Sequence, residues 1–89
     1  MIDLLARDSN PAVRAAAAGT LGEMLDSPQA VDALLLALRD PDPGVVITAL
    51  DSLEFVADSS VIPELTFLLS HPDPAVRERT VEAIEWLED

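Results

Sequence analysis

The stretch Arg39-Asp40-Pro41-Asp42-Pro43-Gly44-Val45-Val46 returns downstream as Ser70-His71-Pro72-Asp73-Pro74-Ala75-Val76-Arg77, and upstream, more loosely, as Asp8-Ser9-Asn10-Pro11-Ala12-Val13-Arg14. Pro11, Pro43 and Pro74 are separated by 32 and then 31 residues. A fixed period of this length marks stacked, self-similar units. The segments that begin at these prolines, PAVRAAAAGTLGEML, PGVVITALDSLEFVA and PAVRERTVEAIEWLE, align without a gap.

Two, six, ten and thirteen places after each proline the residues are small or apolar: Val13, Ala17, Leu21 and Met24; Val45, Ala49, Leu53 and Val56; Val76, Thr80, Ile84 and Leu87, with Thr80 the polar member. At about 100° per residue these positions share roughly 80° of arc, which is one helical face. The start of each helix is also written locally. Asn10, Asp42 and Asp73 are expected as N-caps, whose side-chain oxygens accept from free first-turn N–H groups, and proline suits the first helical position.

A shorter apolar pattern precedes each of the later prolines: Ala30, Val31, Leu34, Ala37 and Leu38, then Val61, Ile62, Leu65, Leu68 and Leu69. Ser27 before Pro28 caps the first of these helices, and Ser59 or Ser60 the second. In the first copy Ile2, Leu5 and Ala6 remain, so the chain is expected to start partway through a helix. The pattern predicts six helices, over 1–8, 11–25, 28–39, 43–57, 60–70 and 74–88, and no strand. Short connections make successive helices antiparallel neighbours, and stacked pairs share one core. The expectation is a single all-α domain over 1–89, an α-α superhelix with repeat units 1–26, 27–58 and 59–89, the first of them truncated.

The turns at 39–46 and 70–77 resemble the D-x-D-P-x-V-R turn of HEAT repeats, and look most like the short HEAT-like variety of the phycobilisome-lyase type. The resemblance covers the whole chain. It implies a protein-interaction scaffold rather than an enzyme, with the second helix of each pair lining a concave binding face. It also implies a ladder between neighbouring repeats, in which Asp42 and Asp73 match the acid and Arg14 and Arg77 the base. The middle copy has Val46 in place of arginine, which is expected to break the ladder and leave an apolar residue near the surface.

Composition narrows the partners. Seventeen acids face five arginines, with no lysine and a net charge of −12. Such a field repels nucleic acid and anionic membranes and favours a basic protein partner. An acidic, lysine-free surface is equally accounted for by adaptation to high salt or by GC-rich coding. Cysteine is absent, which removes disulfides and thiol chemistry. The start of the chain lacks a signal-peptide pattern and no apolar run approaches the ~20 residues of a membrane span, so the expectation is a soluble, cytoplasmic protein.

Nothing in the sequence assembles a catalytic, cofactor or metal site. His71 is the lone histidine, and a zinc site without a second histidine or a cysteine would rest on carboxylates, which suit zinc poorly. Glu82 with Glu85, and Glu78 with Glu82, are neighbours on a helix, but they lack the loop geometry of calcium sites. Opposite the buried stripe, four, eight and eleven places after each proline, stand Ala15, Gly19 and Gly22, then Ile47, Asp51 and Glu54, then Glu78, Glu82 and Glu85. The six residues of the two later copies are the candidate partner-binding surface, with Val46 and Leu50 flanking an exposed Ile47; packing of these three against adjacent repeats is the alternative reading. Phe55 and Trp86 are read as inter-helix packing. Two alternatives accompany the scaffold: an accessory module of a chromophore lyase or similar enzyme, and a structural repeat fragment with no partner of its own. A homodimer completed at the truncated end and membership of a longer array are further expectations.

Overall fold

The three Asx-Pro corners seat three helices. The side chains of Asn10, Asp42 and Asp73 accept from the N–H groups of Ala12, Gly44 and Ala75 at 2.9, 2.8 and 2.8 Å. Each such cap contributes about 1 kcal/mol. The helices they open are α1 (Pro11–Leu21), α3 (Pro43–Val56) and α5 (Pro74–Glu88). Between them lie α2 (Pro28–Ala37), capped by the Ser27 hydroxyl accepting from Ala30 N–H at 3.2 Å, and a mixed helical segment over 59–70. The computed structural model describes residues 9–24 and 27–88. The expected helix over 1–8, with Ile2, Leu5, Ala6 and Asp8, lies outside them.

Two helices differ from expectation. Helix α1 stops at Leu21, where Gly22 N–H turns back to the Gly19 carbonyl and Glu23 N–H to the Thr20 carbonyl. Glycine is a poor helix former, and Met24, expected on the buried stripe, is 41% exposed beyond the helix end. The segment 59–70 winds as a 3-10 turn (Ser59–Val61), one α turn α4 (Ile62–Leu65) and a second 3-10 turn (Thr66–Ser70). Its cap is Asp58, which accepts from Ser60 N–H, and not Ser59 or Ser60. Pro63 supplies no N–H to an α ladder, and Thr66 donates its hydroxyl back to the Pro63 carbonyl at 2.9 Å. Leu69 consequently faces solvent at 42% exposure.

The architecture is two layers of helices, with no strand among the described residues. Helices α1, α3 and α5 lie side by side; α2 packs on α1 and α3, and the 59–70 segment on α5. The backbone fills 31 × 31 × 15 Å. The short dimension is what two layers require, with axes about 8–10 Å apart and a Cα radius of about 2.3 Å on either side.

The core sits where the layers meet, and α3 is its centre. Val45, Val46, Ala49, Leu50 and Leu53 are all 0% exposed. Val46, expected near the surface, is therefore buried, and Leu50 is buried with it, as the packing reading of this cluster has it. Helix α3 has α2 beneath it and a neighbour on each flank, so residues off the main stripe are covered as well. Leu21, Leu34, Leu38, Leu65 and Leu68 complete the interior, each buried side chain contributing about 1.5–3 kcal/mol. Thr80 meets the cost of its burial by donating its hydroxyl to the Val76 carbonyl at 2.7 Å.

Helices α1 and α3 approach closely near the C-terminal end of α1. Ser52, buried, donates its hydroxyl to the Ala18 carbonyl at 2.8 Å. A Cβ added to Gly22 would lie 2.7 Å from Ser52 Oγ, 2.8 Å from its Cβ and 3.1 Å from its Cα. The backbone of Gly22 is ordinary right-handed helix, so what requires glycine here is space. We expect Gly22→Ala to lower stability in urea by about 1–3 kcal/mol. Combining it with Ser52→Gly should cost less than the sum of the two single changes. Strict additivity would show that the contact is not what excludes the methyl group.

Candidate protein-binding face

The second-helix layer presents the candidate acids. Asp51 is about half exposed on α3, Glu54 is half-buried, and Glu78, Glu82 and Glu85 are exposed on α5. Ile47 is half-buried and packs against the core, so it is not the free apolar residue the periodicity predicts. The structure gathers Asp51, Glu54 and Glu82 around a residue that the pattern did not single out. Arg79 donates its Nε–H to Asp51 Oδ1 at 2.6 Å and an Nη2–H to Glu54 Oε2, while its Nη1 lies 3.9 Å from Glu82 Oε1. Burial opposes the Arg79 charge, but the hydrogen bonds to Glu54 and Asp51 outweigh it and raise its pKa further. The i, i+3 spacing of Arg79 and Glu82 was the signal in the sequence for this clamp.

Phe55 is 70% exposed, which overturns its reading as inter-helix packing, while Trp86, though 61% exposed, keeps an inter-helix contact. They stand at matching places near the ends of α3 and α5. Trp86 donates its indole N–H to the Glu54 carbonyl at 3.2 Å, and its ring stays on the surface. The first-helix layer has a surface of its own. An open groove of about 540 Å³ there is lined by Leu35, Leu36, Pro63 and Phe67, with the Arg39 guanidinium 4.5 Å from the Phe67 ring centre.

The inter-repeat ladder exists, but with different partners. Arg14 forms a two-pronged pair with Asp40, Nε to Oδ2 at 2.6 Å and Nη2 to Oδ1 at 3.0 Å. Asp42 and Asp73, the acids expected in this role, are occupied as caps. Arg77 instead donates to the carbonyls of His71 and Pro72 in its own turn. Asp40 and His71 are equivalent residues, and they do the same local work: Asp40 Oδ1 accepts from Asp42 N–H at 2.9 Å, and His71 Nδ1 from Asp73 N–H at 3.0 Å. Where the ladder arginine becomes Val46, its acid has become His71, so both members of the rung change together.

Among the described residues, no group of three histidine, cysteine, aspartate or glutamate side chains could hold a metal ion. No helix among them is long and apolar enough to cross a membrane.

A two-layer α-α stack with capped turns at a 31–32-residue period is the architecture of a helical-repeat scaffold. The chain belongs to the HEAT repeats, whose family model matches residues 1–85. Such repeats are generally protein-interaction scaffolds and typically non-enzymatic. No curated protein matches the chain closely enough to count as a relative.

The Arg14–Asp40 rung links neighbouring repeats from a nearly buried position, with side-chain exposures of 12% and 8%. Burial pushes the Asp40 carboxyl up, but the Arg14 guanidinium and the Asp42 N–H together hold it below its ordinary value. Its stabilising contribution is therefore full above the unfolded pKa, near 3.9, and is lost as pH falls through the lower folded value. Asp40→Asn keeps the turn but removes the charge. It should cost about 1.5–3 kcal/mol at neutral pH, and the gap to the parent should close as pH drops below about 4. Chemical denaturation across pH tests this; a constant gap would refute it.

Proposed function

We propose that the chain is a scaffold for a protein partner carrying basic and apolar side chains, which lies across Ile47, Asp51, Glu54, Glu78, Glu82 and Glu85. One observation supports this most: three of the five acids, Asp51, Glu54 and Glu82, gather around Arg79 as their shared internal counter-ion, and Glu78 and Glu85 are exposed on the same helix as Arg79. That leaves the patch four charges negative, from five carboxylates and one guanidinium. Because Arg79 holds Asp51 and Glu54 in place, part of the ordering cost of binding is met before a partner arrives. Half-buried Ile47 adds apolar area beside the acids. Electrostatic complementarity of this kind speeds encounter and selects partners, and it weakens with salt.

Reversing charge at Glu78, Glu82 and Glu85 together should weaken the complex with a recovered partner by at least about tenfold at low salt, measured by calorimetry. The same reversal at Asp32 and Glu64, on the first-helix layer, should leave it unchanged. The opposite pattern would move the binding surface to the other layer.

A further inference from the structure

Two inter-helix grooves run along the second-helix layer, and one of them is filled from within. Between α3 and α5, Arg79, five places after its proline, lies on Asp51 and Glu54, and Trp86, twelve places after, hydrogen-bonds the Glu54 carbonyl. Between α1 and α3 the matching residues of the later helix are Thr48 and Phe55, and those of the earlier helix are Gly19 and Gly22. The arginine has become a threonine and the two acids have become glycines. An open groove of about 320 Å³ remains, and Gly19, Gly22, Glu23, Thr48, Asp51 and Phe55 are among the residues that line it.

We infer that this groove receives an arginine side chain of the partner, which takes the place that Arg79 fills in the neighbouring groove. The inference rests on the basic partner proposed above and adds where one of its cations goes. The missing side chain at Gly19 gives an aliphatic stem room to lie along α1, whereas the space at Gly22 is taken by Ser52. Phe55, 70% exposed, offers a ring face for the guanidinium, and the Glu23 carboxylate, with the Asp51 oxygen that Arg79 Nε–H does not hold, supplies the opposite charge. Arginine is favoured over lysine because a planar, weakly hydrated guanidinium stacks on a ring while an ammonium keeps its water. The same chain already lays Arg39 over Phe67 in this way.

The test is an NMR titration of the isotope-labelled full chain with acetyl-Gly-Arg-Gly-amide, beside its lysine and leucine analogues. Saturable shifts are expected at the Gly19 and Gly22 amides and the Phe55 ring, with the arginine peptide binding most tightly. Phe55→Ala removes an exposed ring, and Gly19→Leu fills the groove. A Cβ at Gly19 meets only Thr48 Cγ2, at the ordinary distance of 3.7 Å. Each should weaken binding by at least about fivefold, with helix content by circular dichroism unchanged. Asp32→Asn/Glu64→Gln, on the first-helix layer, should stay within about twofold of the parent, because these side chains lie outside the groove. Absence of saturable shifts, equal binding of the lysine or leucine peptide, or indifference to both groove variants would overturn the inference. If the α5 acids govern partner binding but the groove ignores arginine, this inference alone fails. If the groove binds arginine but the α5 acids prove irrelevant, the proposed face fails.

Discussion

Five side chains of α3 are sealed completely from solvent, and the arrangement of the other helices follows from covering them. A helix with apolar residues on nearly all sides cannot be stable at a surface. It needs a floor, which α2 provides, and a neighbour on each flank, which α1 and α5 provide. The flanking helices carry a narrower apolar stripe and leave their outer sides to alanine, threonine, arginine and glutamate. Stability in such a stack is shared between adjacent units rather than held in any one, and the junctions on either side of α3 therefore matter most.

Those two junctions are built by different chemistry. The α1–α3 contact relies on small size: Gly22 against Ser52, with the Ser52 hydroxyl on the Ala18 carbonyl. The α3–α5 contact relies on charge: Arg79 between Asp51 and Glu54, with Trp86 beside them. The first tolerates no added bulk at Gly22, and the second is open to salt and competing ions. The Arg14–Asp40 rung combines the two features, being ionic yet nearly enclosed.

The capped turns and the main buried stripe were legible in the sequence, because both are set by spacing within one repeat. Asn10, Asp42 and Asp73 cap their helices through contacts two residues long, and the proline spacing fixes where those contacts fall. What stayed hidden depends on contacts between repeats. Val46 reads as a surface residue because Arg14 and Arg77 occupy its place elsewhere, yet burial of α3 on both flanks encloses it. Arg79 joins a cluster whose two hydrogen-bonded acids are 25 and 28 residues away. Phe55 and Trp86 could not be separated from packing residues by periodicity, since an aromatic ring at a stripe edge fits either side. The family resemblance gave the ladder its base, Arg14, but the acid moved two residues along the turn, to Asp40.

The mixed winding of residues 59–70 bears on length. A 3-10 helix rises about 2.0 Å per residue against about 1.5 Å for an α-helix. The twelve residues of this segment therefore reach about 22 Å, whereas a uniform α-helix would reach about 18 Å. That matches the roughly 22 Å of α5, along which all three parts of the segment pack. The repeat that contains it is also the shorter one, 31 residues from proline to proline against 32. Overwinding acts here as a length adjustment, by which a unit one residue short still spans its partner and hands the chain on in register.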